Sequence, residues 1–177
     1  MLRATAAYAL LDNLVRSDAL AATPGDDVRR VLEEIHVASH SLRTPSMWQD
    51  RVESLLTSIP IADLCRAIRF DRLRGRANLQ AREKSVQLLT GGQLPIPDGL
   101  AYRVKLYAMR RGRAIVPHGH NGRLSAFLVL AGRFHGRHYE RVRDLPDAIE
   151  IRPSIDRQFT PGSCSSISDQ VTHSPSS

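Results

Sequence analysis

Apolar residues recur along the chain with two different periods. Up to about residue 89 they return every three or four positions, which gathers them on one side of an α-helix. Leu10, Leu11, Leu14 and Val15 make one such face. After a turn at Pro24-Gly25, Asp26 is placed to cap a helix whose stripe is Val28, Val31, Leu32 and Ile35. Thr44-Pro45 combines a capping hydroxyl with proline at the first helical position. The stripe behind it runs Trp48, Val52, Leu55, Leu56 and Ile59. A fourth segment carries Ile61, Leu64 and Ile68, and a fifth, residues 81–89, ends at Gly91-Gly92. These stripes are core-forming faces and point to no chemistry.

Two glycines and two prolines in residues 91–97 interrupt both patterns. Beyond them the period becomes two. Tyr102, Val104, Leu106 and Ala108 alternate with Arg103, Lys105, Tyr107 and Met109, as in a half-buried strand. Further strands are predicted at 114–116, 125–131, 134–142, 148–151 and 155–159, with turns at Gly132, Pro146, Pro153 and Pro161-Gly162. A helical region over 1–92 followed by short strands over 93–177 predicts an α+β fold whose second part is an antiparallel barrel or sandwich. Residues 163–177 are Ser-rich and read equally as a disordered tail.

Composition narrows the function classes. Of 177 residues 42% are hydrophobic and 24% charged, enough to build a core. No apolar run reaches the ~18 residues of a membrane helix. Arg3 and the apolar residues after it have the outline of an export signal, but Asp12 and Asp18 interrupt it. Cys65 and Cys164 are far apart and have no zinc-finger spacing, which fits a reducing, cytoplasmic setting. The net charge of +7 raises nucleic acid as a partner. The arginines, however, are dispersed from Arg3 to Arg157 and not gathered into a run, which argues against it.

Chemistry concentrates in residues 112–132. His118 and His120 are two apart after an apolar run, so an extended backbone sends both rings to one side. Neutral imidazole is a good ligand for zinc, copper, iron and nickel. An isolated His-x-His is also common in polar loops. His36 and His40, one helical turn apart, could chelate as well, but with no third ligand near they read as surface residues. His135 and His138 are not two apart and face opposite sides of a regular strand.

The run Gly112, His118, His120, Gly132 resembles the first motif of the cupin superfamily, which spaces a glycine, His-x-His, an acidic ligand and a second glycine in this register. Ser125 stands at the acidic position. Cupins lacking that carboxylate include the thiol dioxygenases, and the stretch from His118 through Arg137-His138-Tyr139 is similar to their corresponding strands. The resemblance covers residues 102–173. It implies a jelly-roll barrel and a divalent metal, Fe(II) first, on His118, His120 and His173. It implies oxidation of a small thiol by dioxygen, with an inward arginine holding a substrate carboxylate. Arg103, Arg111, Arg113, Arg123 and Arg133 flank the motif as candidates. Phe159-Thr160-Pro161-Gly162 fits the turn before the last ligand strand, which would be Ser165–Ser168 ahead of His173. Only four residues follow His173, so the barrel is expected to be incomplete. A non-catalytic cupin that binds a small ligand or a partner is the alternative.

Overall fold

The computed structural model describes residues 6–10, 24–77, 79, 84–89, 102–115, 118, 120 and 123–168. It is an α+β arrangement. Four helices, α1 (Pro24–Ser41), α2 (Pro45–Ser58), α3 (Ile61–Ala67) and α4 (Phe70–Arg76), cover one face of a five-stranded antiparallel sheet. The strands are β1 (Ala6–Leu10), β2 (Lys84–Leu89), β3 (Val104–Met109), β4 (Ser125–Ala131) and β7 (Cys164–Ile167), in the order β2-β3-β1-β4-β7. The remaining two, β5 (Phe134–Leu145) and β6 (Ala148–Phe159), form a hairpin sheet of their own. No closed barrel is present among the described residues.

Alternation decides which side of the sheet each residue serves. Val104 and Leu106 of β3, and Ala126, Leu128 and Leu130 of β4, are buried in one cluster with Val28, Leu32, Ile35, Trp48, Val52 and Leu56 from the helices. Tyr107 and Met109 of β3 and Phe127 of β4 point the other way and meet Phe134 of the hairpin. The sheet therefore has a helix-covered face and a hairpin-covered face.

The helices start for local reasons. Thr44 caps α2 as its sequence suggests, accepting a hydrogen bond from the Met47 nitrogen at 3.3 Å, with Pro45 behind it. Asp26 lies in the first turn of α1 and not at its cap, where its charge still complements the helix dipole. Trp48 donates its indole N–H to Ser39 at 2.5 Å, tying α2 to α1.

Several expected elements differ. Ala6–Leu10 is a strand between β3 and β4, not part of a helix. Lys84–Leu89 is likewise a strand, paired with β3, where a helix was expected over 81–89. Short apolar runs suit either conformation, and cross-strand pairing decides. The sheet thus draws strands from both sides of residue 92. Ala114 and Ile115 are exposed and lie in no strand. The two strands expected around Pro153 are one continuous β6. Proline is tolerated there because β6 is an edge strand whose register shifts beside it, with His138 opposite Ile155 and Tyr139 opposite Pro153. Residues 164–167, which read equally as part of a last strand and of a disordered tail, form β7, with Cys164, Ser165 and Ser166 all buried. Their order comes from pairing with β4 and from the α2 carboxylate described below.

Candidate metal and ligand site

The two glycines that bracket the motif have a backbone reason to be glycine. Gly112 and Gly132 adopt φ of 80° and 76°, in the left-handed region that side chains disfavour. The first closes the turn after β3, where Arg113 N donates to Arg110 O at 3.2 Å. The second turns β4 into the hairpin. Between them, His118 and His120 lie in the loop leading into β4.

Their rings are side by side, with centroids 5.2 Å apart and planes 16° from parallel. His118 is exposed and His120 half-buried. Nδ1 of His120 is 2.7 Å from the hydroxyl of Ser125, the first residue of β4. In the tautomer that donates Nδ1–H to this hydroxyl, the ring lone pair sits on Nε2. Imidazoles that bind metals commonly have their second nitrogen fixed by such an outer partner, which sets tautomer and orientation. Ser125 thus holds a histidine.

Two residues farther along the same face, Phe127 touches three rings: Phe134 at 5.8 Å, Phe159 at 5.2 Å and His138 at 6.0 Å between centroids. His138 also lies parallel to Phe159 at 6.2 Å. Burial lowers the pKa of His138, and the Arg157 charge lowers it further; Glu53 opposes them, and His120 adds a smaller lowering. His138 is therefore an inward, neutral imidazole near His120. His135 is on the outer face, as alternation expects, hydrogen-bonded to Asp156, whose pKa is lowered by that hydrogen bond and by Arg137.

The five flanking arginines are all exposed. The arginine that meets the aromatic cluster is Arg157, with its guanidinium carbon 4.5 Å from the centroid of the Phe159 ring and one nitrogen donating to Cys164 O at 3.2 Å. Arg157 also lines an open groove of about 540 Å³ between α2, β6 and β7, with Asp50, Glu53 and Ser165. Burial, and then the Glu53 carboxylate, raise the pKa of the Cys164 thiol to about 11, which keeps it protonated at neutral pH.

Comparison with protein-family models, with curated proteins and with solved structures finds no match to this chain. The site therefore rests on its own geometry.

His173 lies outside the described residues. Among the described residues, no three His, Cys, Asp or Glu side chains gather closely enough to hold one ion. His36 and His40 stand edge to face at 4.5 Å between centroids, and buried His36 Nδ1 has no hydrogen-bond partner. Burial and then His40 lower the His36 pKa. Alternation puts His135 and His138 on opposite sides of β5 without choosing which turns inward, and the packing on Phe127 makes it His138; Arg157 carried no such signal. Glu53 had none, because its role depends on a helix meeting a sheet edge.

Proposed function

We propose that this chain is a cupin-like protein holding a divalent metal, Fe(II) first, on His118 and His120, with His173 as the expected third ligand, and that its substrate is a small thiol. The observation that carries the reading is the pair of adjacent imidazoles, one of them fixed by Ser125 through its inner nitrogen. The donor set fits such an ion, because two neutral nitrogens leave the +2 charge intact and coordination positions open. When bound, the metal would lower the thiol pKa and activate dioxygen beside it.

The residues of the chain supply the rest. Ser125 orients His120. The Phe127, Phe134 and Phe159 rings exclude water from the hairpin face. Arg157 offers a guanidinium to a substrate carboxylate. In the overall reaction RSH + O2 → RSO2H, both oxygen atoms go to sulfur. The four electrons that sulfur loses are those that dioxygen gains, and the proton stays on the sulfinic acid.

Ser125, which stands where a carboxylate ligand is expected, favours a second reading, a cupin-like chain that binds a small ligand without turning it over. Elemental analysis of untagged protein, followed by oxygen consumption with a panel of small thiols, separates the two. Metal at about one equivalent with thiol-dependent oxygen uptake supports the dioxygenase. Metal without uptake supports the binder. No bound metal and no affinity for added Fe(II) or Co(II) rejects the metal site.

A further inference from the structure

We infer that α4 and the turn after β3 form a basic surface that docks on the phosphate backbone of a double-stranded nucleic acid. This surface is separate from the histidine loop and does not depend on the metal reading. Along the sequence the cations are dispersed, and the fold brings two groups of them together. Residues 66–76 hold five arginines and one acid, Asp71. Residues 99–139 hold no acid at all and include Arg110, Arg111 and Arg113. Two side chains tie these stretches to each other. Gln87 of β2 donates to Leu73 O of α4 at 2.9 Å. Arg110, just past β3, donates twice to Leu79 O, at 2.9 and 2.6 Å, close behind Arg76 in the chain. β2 runs beside β3 with Lys84 opposite Met109. The end of α4, Lys84 and the Arg110–Arg113 turn therefore share one region of the surface.

Pairing separates this region from the other arginines. In the hairpin, Arg137 is neutralised by Asp156, Arg143 by Glu150 and Arg152 by Glu140. Those of α1 and α2 face Asp27, Glu33 and Glu34. Arg69, Arg72, Arg74, Arg76, Lys84 and Arg111 are exposed, and among the described residues none of them forms an ion pair. Arg72 and Arg76 are one helical turn apart and repel each other, a cost that an anion across both would remove. Arg69 adds a backbone signal. It holds φ 53° and ψ 51°, the left-handed region where glycine is easier, so the arginine strains the chain and contributes an exposed charge. A guanidinium fork takes phosphate oxygens two at a time. Phe70 and Leu73, the apolar residues of α4, are buried in the core, which leaves the helix no apolar face to insert into lipid. Among the described residues no aromatic ring is exposed to stack on unpaired bases, which favours a duplex over a single strand. Such a surface reads charge and not base sequence.

The test uses the full chain and a short labelled DNA duplex of mixed sequence. Binding is followed by fluorescence anisotropy between about 50 and 200 mM salt, where each phosphate contact contributes about 0.9 to the slope of log affinity against log salt. One triple variant, Arg72→Gln, Arg74→Gln, Arg76→Gln, removes cations of this surface. A second, Arg137→Gln, Arg143→Gln, Arg152→Gln, removes ion-paired ones, so both variants carry the same net charge. All six side chains are exposed, and circular dichroism checks the fold. We expect the wild type to bind, the α4 variant to lose about 2.7 from the slope, and the hairpin variant to keep it. Arg69→Gly relieves the left-handed backbone while removing one cation, and should lower the slope by about 0.9. Equal losses in the two triple variants would overturn the inference by making net charge the cause. Unchanged slopes in Arg69→Gly and the folded α4 variant overturn it as well, as does a wild type that stays unbound at the low-salt end. Val86 and Ile115 are exposed nearby, so vesicles of phosphatidylcholine and phosphatidylserine are titrated too. Binding to them without binding to the duplex makes the partner a membrane and overturns the inference.

Discussion

Glu53 of α2 accepts two hydrogen bonds from Ser166 of β7, one from its backbone nitrogen at 2.7 Å and one from its hydroxyl at 2.6 Å. A sheet edge normally presents unpaired backbone donors. Here a helix carboxylate takes one of them, and so fastens the helical layer to the strand beside the groove.

Glu53→Ala should destabilise the fold by about 2 kcal/mol, because the Ser166 nitrogen is buried and loses its acceptor. Glu53→Gln, which keeps an acceptor oxygen, should cost less. Urea unfolding followed through Trp48, the one tryptophan and itself buried, measures both. Equal stability of Glu53→Ala and wild type would show that water replaces the carboxylate.

Gly136 lies under the stacked rings of Phe134 and Phe159, whose centroids are 5.1 Å apart. A β-carbon there would come within 2.6 Å and 2.8 Å of Phe159 and 3.0 Å of Phe134. Phe159 is 0% exposed and has no room to retreat. Gly136→Ala should therefore lower stability by about 1–3 kcal/mol, as overpacking does, and loosen the hairpin. A melting temperature equal to wild type would contradict this packing.

Ser125→Ala removes the partner of His120 Nδ1 while leaving both imidazoles in place. If these histidines bind metal, affinity for Co(II) should fall about tenfold, the lower end for loss of an outer partner. Ser125→Glu should change affinity or metal preference instead, by adding a carboxylate beside the ion. Calorimetric titration reads both variants.

The lowered pKa of His138 links stability to pH. The unfolded chain protonates this ring near the ordinary value of about 6.5, whereas the folded one resists until lower pH. Folding stability is thus unaffected by this group above that value and declines as pH falls below it, levelling off beneath the folded pKa. His36 is shifted in the same direction and contributes to the same decline. His138→Phe should flatten the decline below the ordinary histidine range in part, leaving the contribution of His36. An identical profile in the variant would mean that His138 is protonated equally well folded and unfolded.

The sequence by itself determined the segments whose signals are local. The Thr44-Pro45 start of α2, the alternation of β3, the bounds of β4 and the left-handed glycines at 112 and 132 depend on neighbours in the chain. So does the convergence of His118 and His120, which are only two residues apart. Tertiary structure decided the rest. Ala6–Leu10 and Lys84–Leu89 became strands because β3 and β4 offered edges to pair with, a choice their short apolar runs leave open. Ser125 became the support of His120 because β4 starts beside the loop. His138 turned inward because the hairpin closes over Phe127, and Glu53 met Ser166 across 113 residues of sequence. Such contacts depend on which surfaces fold together, and the periodicity of a single segment carries no record of its partner.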